Sequence, residues 1–159
     1  MALIKLNNQS LTAVTSAGLP SGTVLQVKQK VQAGQESPTN NETFEDITGL
    51  TLDITPTATT SKILVQWSVN FYAAASTGVA VVPIRDGTTR FYFNTANRPY
   101  EFYGQGVGIH GRITNQYLDS PATTSSINYQ MQSNFSATAS SHIGTDSFPM
   151  TLTLMEIAG

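Results

Sequence analysis

The stretch from Lys62 to Ala73 constrains the fold more than any other part of the chain. Ile63, Val65, Trp67, Val69 and Phe71 share one parity; Leu64, Gln66, Ser68, Asn70 and Tyr72 share the other. Apolar residues at every second position mark a strand with one face in a core. A slip of one residue would turn that whole apolar face outward, so the register is strongly specified.

The same period recurs elsewhere. Leu25, Val27, Gln29 and Val31 alternate with Val24, Gln26, Lys28 and Lys30, which reads as a half-buried strand. A polar loop from Gly34 to Asn41, with Pro38, leads to Phe44 and Ile47. After a break at Gly49, Leu50, Leu52 and Ile54 face one side and Thr51, Asp53 and Thr55 the other. Pro56 ends that strand, because proline brings no N–H to a central ladder. Val79 to Arg85 forms the next strand, and Pro83 predicts an edge or a bulge there. Asp86-Gly87 predicts a tight hairpin into Arg90 to Phe93. Tyr100, Phe102 and Tyr103 follow a loop, and Val107, Ile109 and Ile113 share a parity on one long strand ending near Leu118. Asp119-Ser120-Pro121 turns the chain into Ile127, Tyr129, Met131, Ser133, Phe135 and Ala137, which alternate again. A loop around Gly144 and Pro149 leads to a final strand, Met150 to Ile157. The expectation is an all-β protein of eight to ten short strands with no sustained helical spacing. A jelly roll is the natural antiparallel sandwich for that number.

Composition narrows the function classes. Charged residues make up only 11% of the chain, against about a quarter in an average soluble domain. A hydrophobic fraction of 40% with strong alternation argues against disorder. Sparse charge then points to a β surface much of which faces another protein, where charge is costly to desolvate. The formal net charge is −2 and no basic stripe exists, so a nucleic-acid partner is not expected. The chain has no Cys, which excludes disulfides and thiolate metal sites and leaves stability to packing or oligomerisation.

Residues 1–21 differ from the rest. Two short apolar clusters, Leu3, Ile4 and Leu6, then Leu11 and Val14, sit among small and polar residues and end in the turn signal Gly18-Leu19-Pro20-Ser21-Gly22. We read an extended arm over 1–21 and one β domain over 22–159. The apolar start stops at Asn7-Asn8-Gln9, too soon for a signal peptide. No apolar run approaches the roughly 20 residues of a membrane helix, so membrane insertion is not expected.

Several segments, in order, carry a resemblance. They are Met1-Ala2-Leu3-Ile4-Lys5-Leu6-Asn7-Asn8-Gln9-Ser10-Leu11-Thr12-Ala13-Val14, Leu19-Pro20-Ser21-Gly22-Thr23-Val24-Leu25-Gln26-Val27 and Asp46-Ile47-Thr48-Gly49-Leu50. They continue with Ser61-Lys62-Ile63-Leu64-Val65, Leu118-Asp119-Ser120-Pro121 and Thr153-Leu154-Met155-Glu156-Ile157-Ala158-Gly159. In this order they resemble a family of small bacteriophage virion proteins. The resemblance implies a homotrimeric, tumour-necrosis-factor-like jelly roll of the kind found in head decorations and fibres. It implies a place on the virion, at the capsid surface or the tail.

No catalytic constellation is expected. His110 reads as a strand residue on the face opposite Val107 and Ile109, and His142 as part of a small-residue loop. Asp119 and Asp146 have no spacing to them that makes a triad, which is recognised by geometry. Two His with few carboxylates and no Cys do not predict a metal site, and no cofactor is implied. Gly104-Gln105-Gly106-Val107-Gly108-Ile109-His110-Gly111 looks like a phosphate loop, but a strand follows where a helix N-terminus is required. We read those glycines as close packing or a bulge. The sequons at Asn41 and Asn134 matter only in a eukaryotic secretory pathway.

Two binding features remain. Phe91, Tyr92, Phe93, Tyr100, Phe102 and Tyr103 form a dense aromatic cluster. It reads either as core or subunit-interface packing or as a sugar-stacking platform. Arg98, beside Tyr100, suits a carboxylate or a neighbouring subunit. Leu3, Ile4, Leu6, Leu11 and Val14 are the expected anchor to a major capsid protein or a tail protein. Arg98, Tyr100, Phe102 and Tyr103 are the expected glycan or interface residues. The leading expectation is a homotrimeric capsid decoration or cement protein; the alternative is a tail-fibre tip that recognises a host surface glycan.

Overall fold

Ten strands make up the computed structural model, which describes residues 19–39, 42–91, 100–137 and 140–159. They are β1 (Val24–Gln32), β2 (Glu45–Ile54), β3 (Lys62–Ala73), β4 (Gly78–Arg85), β5 (Thr89–Arg90), β6 (Phe102–Tyr103), β7 (Ile109–Asp119), β8 (Ile127–Phe135), β9 (His142–Ile143) and β10 (Met150–Ile157). Among the described residues there is no helix, hence none long and apolar enough to cross a membrane. One sheet runs β1-β10-β3-β7, with β9 also on β3; the other runs β2-β8-β4-β5, with β6 also on β4. Setting aside the two-residue β6 and β9, the eight remaining strands pair in chain order as 1-8-3-6 and 2-7-4-5. Every pairing is antiparallel, and this order is that of a jelly roll.

The alternation in β3 builds the core. Ile63, Val65, Trp67, Val69 and Phe71 are all buried, with Leu152 and Leu154 of β10 and Ile113 of β7 beside them. Ile47, Leu50, Ile54, Val79, Val81, Tyr129, Met131 and Phe135 close on them from the other sheet. Burial of each such side chain contributes roughly 1.5–3 kcal/mol. β8 and β10 follow the same parity logic, with Ile127, Tyr129 and Met131 and then Met150, Leu152 and Leu154 turned inward.

β1 behaves differently from its pattern. Val27 and Val31 are 57% and 53% exposed, whereas Gln26, Lys30 and Gln32 are half-buried. A register shift lies between Val24 and Gln26. Gln26 Nε2 donates to Thr55 O at 2.8 Å and Lys28 Nζ to Asp53 O at 2.9 Å. These long polar side chains lie across the gap to β2 and bind its end. Val27 and Val31 are thereby left on the outside.

The expected break at Gly49 is an irregularity within one strand, β2. Pairing with β8 shifts between Asp46 and Thr51, and Gly49 has φ +73°, where a side chain would be strained. That shift lets both Ile47 and Leu50 point inward. Pro83 sits in β4, opposite Met131 of β8; on its other side β4 meets only the two-residue β5 and β6. His142 is in β9, paired with Tyr72, rather than in a loop. β7 starts at Ile109, so Val107 precedes it and is 64% exposed.

Candidate interaction surfaces

The outward parity of the β1-β10-β3-β7 sheet forms an ordered field. The register places Val27, Met155, Leu64 and Leu118 side by side across four strands. The next row is Gln29, Thr153, Gln66 and Gln116, and the third is Val31, Thr151, Ser68 and Thr114. None of these residues carries a charge. The middle row is tied by Gln29 Nε2 donating to Thr153 Oγ1 at 2.9 Å and Gln66 Nε2 donating to Gln116 Oε1 at 2.8 Å. Ser68 and Thr114 share a hydrogen bond of 3.0 Å in the third row. Cross-strand bonds of this kind hold each amide in one orientation. Charge returns at the two ends of the sheet, with Lys62 at one and Arg112 at the other.

The expected site residues divide. Leu3, Ile4, Leu6, Leu11, Val14 and Arg98 lie outside the described residues. Tyr100, Phe102 and Tyr103 do not form one flat platform. Tyr100 is half-buried and lies so close to Gly78 that a Cβ there would meet its ring at 2.5 Å. Phe102 packs on Phe71, with ring centroids 5.2 Å apart. Tyr103 remains 46% exposed. Phe91 belongs to the core, stacked on Tyr117 at 4.6 Å.

The two histidines, 32 positions apart in the chain, meet. His110 and His142 flank Tyr72 as its register partners on β7 and β9. Their rings lie 4.5 and 5.2 Å from the Tyr72 ring and 6.3 Å from one another. Burial, and then the charge of His110, hold the His142 imidazolium below its usual range. Asp119 is far from both. It pairs with Ile63 at the opposite end of β7, about 30 Å along the strand from His110 at the usual rise. There it accepts from Arg85 and Tyr129. Among the described residues no three His, Cys, Asp or Glu side chains gather where a metal ion could be held.

The glycines of the phosphate-loop-like segment serve packing. A Cβ on Gly108 would collide with the Tyr72 hydroxyl, and one on Gly111 would meet the Phe71 ring at 2.6 Å. Gly106 has φ +71°.

No protein-family model matches the sequence, and a search of curated proteins finds no match.

Proposed function

We propose that the chain is a non-catalytic structural protein of a bacteriophage virion, a homotrimer that decorates or cements the capsid. Residues 1–21 would anchor it to the major capsid protein, and the jelly roll would present its surface to solvent. The observation that carries the assembly part is the uncharged field on the β1-β10-β3-β7 sheet. Its apolar row, with Val27 57% and Leu118 48% exposed, is costly to leave in water. At the usual strand spacing the three rows cover on the order of 400 Å². That is roughly half of what a standard interface takes from each partner. The field therefore suits the centre of a contact whose polar rim comes from elsewhere. The phage part rests on the resemblance.

Light scattering tests the assembly. The expected mass is three times the 17.1 kDa of one chain, falling to that of one chain in Leu64→Lys and Gln66→Lys variants that melt as the parent does. A monomeric parent ends the trimer reading. Cryo-electron microscopy of the virion tests the placement, and density confined to the tail ends the cement reading. Deletion of residues 1–18 should abolish incorporation while leaving the trimer folded.

The exposure of Tyr103 and Phe102, 46% and 41%, favours a second reading as a tail-fibre tip that contacts a host glycan. Loss of glycan-array binding in Tyr103→Ala would support it.

A further inference from the structure

Beyond the third row of the uncharged field, β3 and β7 continue past Asn70 and Arg112 to Tyr72 and His110. Here lies a hollow of ≈ 540 Å³, lined by Asn70, His110, Gly111, Arg112, Thr145 and Phe148 among others, a size that suits a small ligand. We propose that this hollow binds an acidic saccharide, its carboxylate on Arg112 and an apolar face of its ring on Phe148.

Arg112 is held ready for a partner. Its Nη1 donates to Ser68 Oγ at 3.0 Å and its Nη2 to Pro149 O at 3.4 Å. A guanidinium has five N–H donors in a fixed fork, so donors remain for a carboxylate. Both acceptors are neutral, and among the described residues Arg112 makes no ion pair. Arg85, by contrast, is committed to Asp119 at 2.6 Å. Among the described residues no carboxylate lines the hollow, and exposed His110, packed against Tyr72, adds a second basic group.

The aromatic wall is equally fixed. Phe148 is 63% exposed. Its loop is tightened from within, because Phe148 N donates to Thr145 Oγ1 at 3.1 Å. With its amide oriented to satisfy both neighbours, buried Asn70 donates to Phe148 O and accepts from Thr145 N, each at 3.0 Å. An exposed ring on a braced loop beside a braced guanidinium costs little to organise on binding. A sugar acid carries a carboxylate on a ring with an apolar C–H face, which matches both walls at once. A phosphate-rich polymer fits less well, since one Arg and a net charge of −2 give it little attraction. The apolar row of the uncharged field lies about 20 Å along β3 from Asn70, whereas its third row, at Ser68, borders the hollow. The hollow thus lies at the rim of the proposed subunit contact, and the inference does not depend on a place in a virion.

Calorimetric titration and saturation-transfer NMR of the full chain with trigalacturonate and 3′-sialyllactose test it, with the methyl ester of each as a control. At least one acid should bind with a Kd on the order of 1 mM. Its ester should bind about tenfold more weakly, as should the acid to Arg112→Ala and to Phe148→Ala. Both variants should keep the parent's melting temperature and scattering mass. Absence of binding by either acid overturns the proposal, as does binding that both substitutions leave unchanged. Equal competition by a hexaglutamate peptide overturns the saccharide assignment and leaves an anion site. A fall in scattering mass on Phe148→Ala also overturns it, by assigning the hollow to a subunit contact.

Discussion

The carboxylate of Asp119 and the hydroxyl of Tyr129 meet at 2.6 Å, joining the end of β7 in one sheet to β8 in the other. Arg85 Nη1 reaches the same carboxylate oxygen at 2.6 Å. Burial, reinforced by the bond to Asp119, pushes the Tyr129 hydroxyl well above its usual range, so it keeps its proton and donates. The group is a polar clasp between the sheets.

Removing the carboxylate leaves the buried Tyr129 hydroxyl and the half-buried Arg85 guanidinium without their acceptor. Asp119→Ala should therefore cost about 3–5 kcal/mol, and Tyr129→Phe, which leaves the ion pair intact, about 1–2 kcal/mol. Urea denaturation of both single variants and the double variant measures this. The two losses should not add, because the residues are in direct contact.

Glu156 is buried at 0% exposure and makes no ion pair among the described residues. It accepts from Gln26 Nε2 at 2.6 Å, from Thr57 N at 2.6 Å and from Thr57 Oγ1 at 2.7 Å. Burial alone would raise its pKa, but these donors outweigh burial and hold it below the usual carboxylate range. The folded state thus binds its proton less readily than the unfolded chain does. The stabilisation is fully present above the unfolded carboxylate range and is lost as pH falls through the lower, folded value. Glu156→Gln should melt well below the parent at neutral pH, and the gap should narrow on acidification below about pH 4. Melting curves across that range check it.

His142 gives a second, separate pH effect. Its folded pKa is depressed below 6.5 by burial and by His110, so the unfolded state takes up the proton first. Stability should fall as pH drops below 6.5 toward the folded value, and be unaffected by this group above it. His142→Gln should flatten the melting temperature over that window. A parent and variant with parallel profiles would contradict the assignment.

At Gly111 the Phe71 ring occupies the space a side chain would need, 2.6 Å from a Cβ. Gly111→Ala should cost about 1–3 kcal/mol through overpacking. Pairing it with Phe71→Leu should recover part of that loss, which a double-mutant cycle in urea would show.

The long strands were legible because one face of each is apolar and the other is not. β3, β8 and β10 have that contrast, and their boundaries follow from it. β1 does not. Its valines share a sequence with Gln and Lys stems long enough to lie against β2, so parity identifies two faces without telling which is inside. The histidine pair was hidden for a different reason: it forms only where β7 and β9 flank the same residue of β3, a relation no local spacing encodes. The hollow was half visible. Arg112 stood among the sparse cations, but Phe148 is a single aromatic in a turn, and only the tertiary placement of its loop puts the two together.

β10 is the last strand of its sheet in chain order, yet it lies between β1 and β3, so two ladders of that sheet wait on it. Until Met150 to Ile157 emerge, β1 has no neighbour in that sheet and β3 has lost one side of its pairing. Val24 and Ile157, partners in the register, are separated by nearly the whole sequence. Contacts of such long separation form slowly, on the order of milliseconds to seconds. The apolar face of β3 therefore stays only partly covered until β10 docks, and the sandwich closes only once strands far apart in the sequence have met.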